Sequence, residues 1–341
     1  MIGIYAEGNE IIGIGHVMRC LTIADALFSR GQKVIFFTNS CHSLLEKRGY
    51  QAEAVPEGFS GSDTEIGFWK KNAEERGLTL LLLDGYNVTS AYMEALSKIV
   101  KTAYLDDMCM FPYPVDLVIN YNIFADEKDY EGIAKHTQLC LGTSYAPVRK
   151  EFLQHKKEQL KQGRAEILIS VGGADSMGLS PFIAGTIKEH LEDSCLHVLC
   201  GPYSRQKDEL VTLKERYGGI EIYENVTAVW EVMGKCNMAV SAAGTTMYEL
   251  ATMGLPVLTF YFVENQRRIA EGFAGEGAAI GVGAYDQANP EAFAKRLVTE
   301  LDRLVGDSVL REQIKRRGTE CVDGKGAFRI AEALMNTDAR K

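Results

Sequence analysis

Gly13-Ile14-Gly15-His16-Val17-Met18-Arg19 is the stretch on which the fold of this chain turns. An apolar strand pattern stands before it (Ile2, Ile4, Tyr5). An amphipathic helix pattern follows, with Val17, Cys20, Leu21, Ala24 and Leu27 on one face and a stop at Gly31. Strand, glycine loop and helix in that order open a doubly wound α/β domain. Gly13 and Gly15 let the backbone approach a ligand and aim free N–H groups at it. The imidazole is the unusual part. Phosphate-only loops place Gly, Ser, Thr or Lys at the mouth, whereas histidine has an ordinary pKa suited to proton transfer near neutral pH. His16 is therefore a candidate general base, and a capping or core histidine is the plainer alternative.

The same alternation continues to the end of the chain. Strands are expected near 2–5, 33–38, 79–83, 102–105 and 117–120, with helices near 15–30, 41–48, 64–76 and 89–100 between them. Further strands are expected near 166–171, 196–200, 219–223, 238–241, 256–260 and 278–281, again separated by helices. Near-continuous apolar strands of this kind suit a parallel sheet covered on both faces. The polar stretch 149–164 marks a boundary, predicting two domains, 1–150 and 151–341. No repeat of solenoid length interrupts the pattern. The fold class is thus α/β, two doubly wound Rossmann-like domains whose strand-end loops surround one cleft.

Composition narrows the function. The 341 residues carry 46 acidic against 37 basic side chains, a net charge of −9 with a pI near 5.3. That balance speaks against nucleic-acid binding and against adsorption to anionic lipid. No apolar run reaches the roughly 18 residues a membrane span needs, and Glu7 and Glu10 sit where a signal peptide would be apolar. Eight cysteines lie scattered without a C-x-x-C pair. They read as reduced core residues of a cytoplasmic protein rather than zinc ligands. No feature implies a particular oligomeric state.

Three loops of the second half converge on one chemistry. Ser170-Val-Gly172-Gly173-Ala-Asp175 is a glycine turn after a strand. Ser241-Ala-Ala-Gly244-Thr245-Thr246-Met-Tyr-Glu249 places small residues and two hydroxyls at a helix start, an anion site by geometry and dipole. Glu249, one turn in, can accept from ribose hydroxyls or simply complement the dipole. Asn265 and Gln266 begin another helix, where such a pair is commonly a cap. Together the loops predict a nucleotide site, with phosphate on the glycines and sugar hydroxyls on the polar groups.

These segments resemble the PseG-type nucleotide-sugar hydrolases, in the branch that includes spore coat polysaccharide proteins of the SpsG type. The resemblance runs through Gly13 to Thr22, Leu83-Asp84-Gly-Tyr86, Leu105-Asp106-Asp107, Asp116 to Asn120, Gly142 to Phe152, Gly172 to Asp175, Ala243 to Thr246 with Glu249, Asn265-Gln266, and Asp323 to Arg329. It implies the GT-B architecture shared with MurG-type glycosyltransferases and release of a free amino or deoxy sugar from UDP, in surface polysaccharide or pseudaminic-type sugar biosynthesis. The residues alone fit UDP or CMP. The family pattern has Arg-x-Asp at the end of the first strand, where this chain has Tyr5 and Glu7, and a larger polar residue at Gly85. The resemblance puts these three on the sugar side.

It also implies roles. Water attacks the anomeric carbon with His16 as base, while donors at Gly172, Gly173, Gly244, Thr245 and Thr246 stabilise the departing diphosphate. Tyr86 orients sugar or water, or is a core aromatic; Tyr223 and Val226 hold the uracil. No cofactor or metal is expected, and the Asp106-Asp107 pair reads as a loop cap. A GT-B glycosyltransferase using the same UDP-sugar is the alternative, set back by the acidic first domain. A nucleotide-sugar sensor would not need His16. An NAD enzyme is disfavoured, because Met18 replaces the third glycine of G-x-G-x-x-G and the second strand ends in Asn39.

Overall fold

The computed structural model describes residues 1–8, 15–39, 42–56, 63–156, 163–173, 175–201 and 204–339. The chain divides into two compact units: Met1–Arg149 with Lys325–Lys341, and Lys150–Gly324. The strands are β1 (Ile2–Ala6), β2 (Val34–Thr38), β3 (Gln51–Ala54), β4 (Leu80–Asp84), β5 (Lys101–Leu105), β6 (Leu117–Asn120) and β7 (Gln138–Leu141) in the first unit. The second unit holds β8 (Glu166–Ser170), β9 (Cys195–Cys200), β10 (Ile220–Glu224), β11 (Met238–Ala242), β12 (Val257–Tyr261) and β13 (Ile280–Ala284). The helices are α1 (Gly15–Phe28), α2 (His42–Lys47), α3 (Asp63–Arg76), α4 (Ser90–Ser97), α5 (Lys150–Gln154), α6 (Leu179–His190) and α7 (Lys207–Tyr217). They continue with α8 (Val229–Lys235), α9 (Thr246–Met253), α10 (Glu264–Gly275), α11 (Pro290–Gly306), α12 (Ser308–Cys321) and α13 (Gly326–Ala339).

Each unit is a wholly parallel sheet in the same winding. The first has the order β3-β2-β1-β4-β5-β6-β7 and the second β10-β9-β8-β11-β12-β13. Both reverse direction beside their first strand, between β1 and β4 and between β8 and β11. Such switch points open a crevice at the carboxyl ends of the strands. The strands at each switch are apolar nearly throughout, and β1, β4 and β11 are buried along their whole length, because helices cover both faces. The first core gathers Phe37, Trp69, Leu81, Leu83 and Met93 on one face of its sheet. In the second, Ile167, Ile169, Val198 and Phe260 of the sheet cluster with Ile183 of α6 and Phe293 of α11.

Two features depart from the sequence reading. β3 and β7 are additional strands at the two edges of the first sheet. Gln51-Ala-Glu-Ala54 is polar and largely exposed, so it carries no apolar signal, yet it pairs in register with Ile35–Thr38 of β2. The second concerns the end of the chain. The tail expected to complete a domain running from 151 to 341 instead packs with the first unit, where α13 contacts α1, β4, β5 and β6. Gly326 fixes that docking, since a Cβ there would lie 2.1 Å from the carbonyl oxygen of Ala146. Among the described residues no helix is long and apolar enough to cross a membrane.

Candidate active site

At the switch point of the first unit, α1 and the end of β4 bring four functional groups together. α1 begins at Gly15, so His16, Arg19 and Cys20 stand at i, i+3 and i+4 on one helical face. Asp84 ends β4, in register with Ala6 of β1. His16 is 7% exposed, and its Nδ1 lies 2.6 Å from Asp84 Oδ1. Arg19 donates from Nε to Asp84 Oδ2 at 2.7 Å and from Nη2 to Oδ1 at 2.5 Å. It also reaches Asp107, Nη1 to Oδ1 at 3.0 Å and Nη2 to Oδ2 at 2.9 Å, and donates to the Tyr121 hydroxyl at 2.9 Å. The Cys20 thiol donates to Asp84 Oδ2 at 3.3 Å.

Electrostatics settle which atom carries which proton. Burial by itself would raise the Asp84 carboxyl, but the Arg19 charge and the hydrogen bonds from Arg19 and His16 outweigh it and hold Asp84 well below the usual carboxylate range. Burial likewise works against the Arg19 cation, and Asp107 and Asp84 overcome it. An ionised Asp84 can only accept, so in that contact His16 Nδ1 donates, and Nε2 is the ring nitrogen left for another partner. The Tyr86 ring meets the His16 ring edge to face, centroids 4.8 Å apart, and remains 49% exposed. Burial of its hydroxyl, then the nearby Asp107, push its pKa up to about 12, so Tyr86 is a hydrogen-bond donor at neutral pH and not a base.

The three positions departing from the family pattern form one packing unit behind Tyr86. Glu7, 5% exposed, accepts the Tyr86 backbone N–H at 3.1 Å and the Asn87 amide at 2.9 Å. A Cβ on Gly85 would lie 3.0 Å from Glu7 Oε2 and 3.1 Å from the Tyr5 ring, so a larger residue there would have to displace both. Tyr5 itself is a core residue of the first sheet, which corrects its expected place beside a sugar. Asp106 accepts from the backbone of Met108 and Cys109 and from the Tyr130 hydroxyl, closing its own loop. Gly13 lies outside the described residues, and Gly15 is the first residue of α1.

The second unit has a cavity of about 210 Å³ at the matching switch point. It brings together Gly172, Gly173, Tyr223, Val226, Thr246 and Glu249, all singled out from the sequence, with Ser170, Leu199, Cys200, Gly201, Asn225 and Val229. Whole small-molecule sites run to roughly 300–1,000 Å³, so this cavity is smaller than one. Gly172 has φ +99°, a conformation other residues rarely adopt. Gly201 packs so closely on Gly173 that a Cβ would come within 2.3 Å of the Gly173 carbonyl oxygen. Gly244 and Thr245 directly precede α9, and no side chain caps that helix.

Other expected residues are engaged locally. Asp175 is buried, its oxygens accepting from Leu179 N at 2.7 Å and Ser180 N at 2.9 Å. It caps α6, which takes that helix start out of use as a phosphate site. The Gln266 side chain accepts from Phe262 N at 3.2 Å, closing the turn into α10, and Asn265 stands beside it in the first turn. Neither is among the residues lining the cavity. Sequence reasoning missed the Arg19–Asp84–Asp107 cluster. Asp84 and Asp107 stand in quoted motif segments, but Asp107, read as part of a loop cap, instead pairs with Arg19, and the two acids lie 65 and 88 residues from Arg19.

No family model matches the chain. It is 25% identical to the spore coat polysaccharide biosynthesis protein SpsG of Bacillus subtilis over 98% of each chain. It is 24% identical to the UDP-2,4-diacetamido-2,4,6-trideoxy-beta-L-altropyranose hydrolase of Campylobacter jejuni, over 81% of this chain and 96% of that one. Among solved structures, MurG of Acinetobacter baumannii matches with a TM-score of 0.67 at 16% identity, covering 98% and 99% of the two chains. The S. aureus MnaA–UDP structure matches with 0.69 at 14% identity, covering 100% and 98%. By sequence the chain is similar to the SpsG and PseG-type proteins, and its fold is that of the MurG and MnaA structures.

Proposed function

We propose that the protein is a nucleotide-sugar hydrolase that releases a free amino or deoxy sugar from UDP. The observation that carries this reading is the His16 Nδ1 to Asp84 contact of 2.6 Å, which leaves Nε2 as a base at the carboxyl end of the sheet. The second unit would hold the nucleotide. Its cavity suits the uridine part, with Tyr223 and Val226 near the base, Glu249 accepting from the ribose, and Gly172, Gly173 and the start of α9 facing the diphosphate. That cleavage of a UDP-sugar is the named activity of a 24% identical relative supports the choice.

In the reaction, a water gives its proton to His16 Nε2 as its oxygen bonds to the anomeric carbon. The bond from that carbon to the β-phosphate oxygen breaks, and its electron pair leaves with UDP. Before transfer, Asp84 and Asp107 against Arg19 leave the cluster with one excess negative charge. Taking up the proton neutralises it. Asp84 holds the ring in orientation throughout. In this reading Tyr86, protonated and hydrogen-bonded to Asp107, would turn its hydroxyl to the sugar or the water. Donors at a diphosphate gain strength as negative charge develops there, which lowers the barrier rather than only the binding energy.

A GT-B glycosyltransferase is the second reading, favoured by the shared fold and by a base that would serve an acceptor hydroxyl equally well. The deciding experiment incubates the protein with a panel of UDP-amino sugars and no acceptor. Hydrolysis gives UDP and free reducing sugar in equal amounts. His16→Asn should keep UDP affinity and lose about two to four decades of that rate. Release of UDP only when an acceptor is added would replace the hydrolase with the transferase, and normal turnover in His16→Asn would remove the base.

A further inference from the structure

Away from this chemistry, the second sheet assembles a donor set that no spacing rule reveals. Glu166 begins β8 and stands in register with Cys195, the first residue of β9. His197 is two residues further along β9, so it and Cys195 share one face of the sheet. The Nε2 of His197 lies 2.9 Å from Glu166 Oε2, and one ligand atom from each of the three residues falls within 4.8 Å of the others. We propose that Glu166, Cys195 and His197 form a binding site for a thiophilic divalent cation of the zinc type, with water as the fourth ligand.

The donor chemistry selects the class of ion. A thiolate, an imidazole and one carboxylate suit zinc or cobalt; magnesium and calcium want oxygen alone. At bond lengths of roughly 2.0 Å to N and O and 2.3 Å to S, tetrahedral ligands lie about 3.2–3.7 Å apart. The three ligand atoms, now within 4.8 Å of one another, would have to close to that spacing. Thiolate and carboxylate together would cancel the charge of the ion. The second partner that metal-bound histidines require is already present, because His197 Nδ1 lies 3.1 Å from the Tyr223 hydroxyl and the two rings stack at 5.8 Å. Cys195 would bind as the thiolate, its proton released to solvent as the metal–sulfur bond forms. Arg164, whose charge reaches Glu166 and Cys195, is held by the carbonyls of Asp193 and Ser194. Glu221, in register with His197, is paired with Lys214 at 3.4 Å.

Cobalt is the probe. Titrating Co²⁺ into the reduced, metal-stripped full chain should produce a thiolate-to-cobalt charge-transfer band saturating at one equivalent, and zinc should abolish it. Cys195→Ser should lose the band, and Glu166→Gln should weaken cobalt binding by at least about ten-fold, each with an unchanged near-UV circular dichroism spectrum. Zinc should raise the Tm of the wild type and leave that of Cys195→Ser unmoved. Absence of the band in the wild type, or its survival in a folded Cys195→Ser variant, would overturn the site. UDP release plays no part in these readouts, so they stand or fall apart from the proposed reaction.

Discussion

Replacing Asp84 with asparagine removes a charge where no solvent can absorb the change. The wild-type carboxylate is fully buried and receives His16 at 2.6 Å and Arg19 at 2.7 and 2.5 Å. An amide oxygen keeps part of that set, but its NH₂ group then meets another donor. Hydrogen bonds to a charged partner contribute roughly 1.5–3 kcal/mol each, and breaking one side of a buried pair costs about 3–5 kcal/mol in all. Arg19 retains both bonds to Asp107 in the variant, so the loss should fall near the low end, about 3 kcal/mol. A unit of this size moves by about 2–4 °C in Tm per kcal/mol, giving a fall of about 6–12 °C.

The pH dependence follows from the direction of the Asp84 shift. Its folded pKa lies below the unfolded value of about 3.9. The contribution is therefore complete above that value and lost only as the pH falls through the lower, folded one. Wild-type stability should keep this part across neutral and mildly acid pH and lose it in strong acid; Asp84→Asn should lack that acid-side loss. Turnover should drop by about three to four decades, because an amide no longer enforces the Nδ1–H form of the base. Thermal melts by circular dichroism and UDP release at saturating UDP-sugar measure the two effects. A variant melting within about 2 °C of wild type with turnover within about ten-fold would refute the buried-cluster argument.

Gly201→Ala should weaken UDP binding by about 1–3 kcal/mol by calorimetry, since the new methyl meets the Gly173 backbone and nothing flexible can yield; unchanged affinity would detach that contact from the cavity. Glu7→Ala should lower turnover while sparing UDP affinity, because it leaves the Tyr86 N–H and the Asn87 amide without their acceptor, a cost of roughly 1–3 kcal/mol. Loss of UDP binding in that variant would contradict the separation of roles. Excess EDTA should leave UDP release intact: among the described residues the one Glu–Cys–His group lies in the second sheet, beside Tyr223 and not among the residues assigned to proton transfer. Abolition by EDTA with rescue by magnesium would show a catalytic ion.

The sequence made the winding legible because buried parallel strands such as Leu80–Leu83 and Ile167–Ile169 are apolar at every position. Gln51–Ala54 stayed hidden because an edge strand needs no such run. His16 announced itself by sitting in a glycine loop, but its partner Asp84 is set by strand register 68 residues away, and no local pattern encodes that. Asp175 and Gln266 are ambiguous for the opposite reason. Acid and amide side chains beside a helix start satisfy backbone N–H groups as readily as they satisfy a ligand, and here they do the former. The Glu166, Cys195 and His197 set was invisible for the same cause as Asp84, being written in the pairing of two strands.

The return of α13 to the first unit has a consequence for how the molecule is made. Ile330, Ala331 and Leu334 of α13 are buried, and the helix covers α1 and the strands beneath it. The nascent first sheet therefore emerges with one face unfinished, and the ribosome must synthesise residues 150–324 before the covering helix exists. At roughly 5–20 residues per second that wait lasts about 9–35 s. The second unit, continuous in sequence, can close in the meantime. The order of completion is then the reverse of the order of synthesis, and the part of the chain bearing His16 would be the last to become competent.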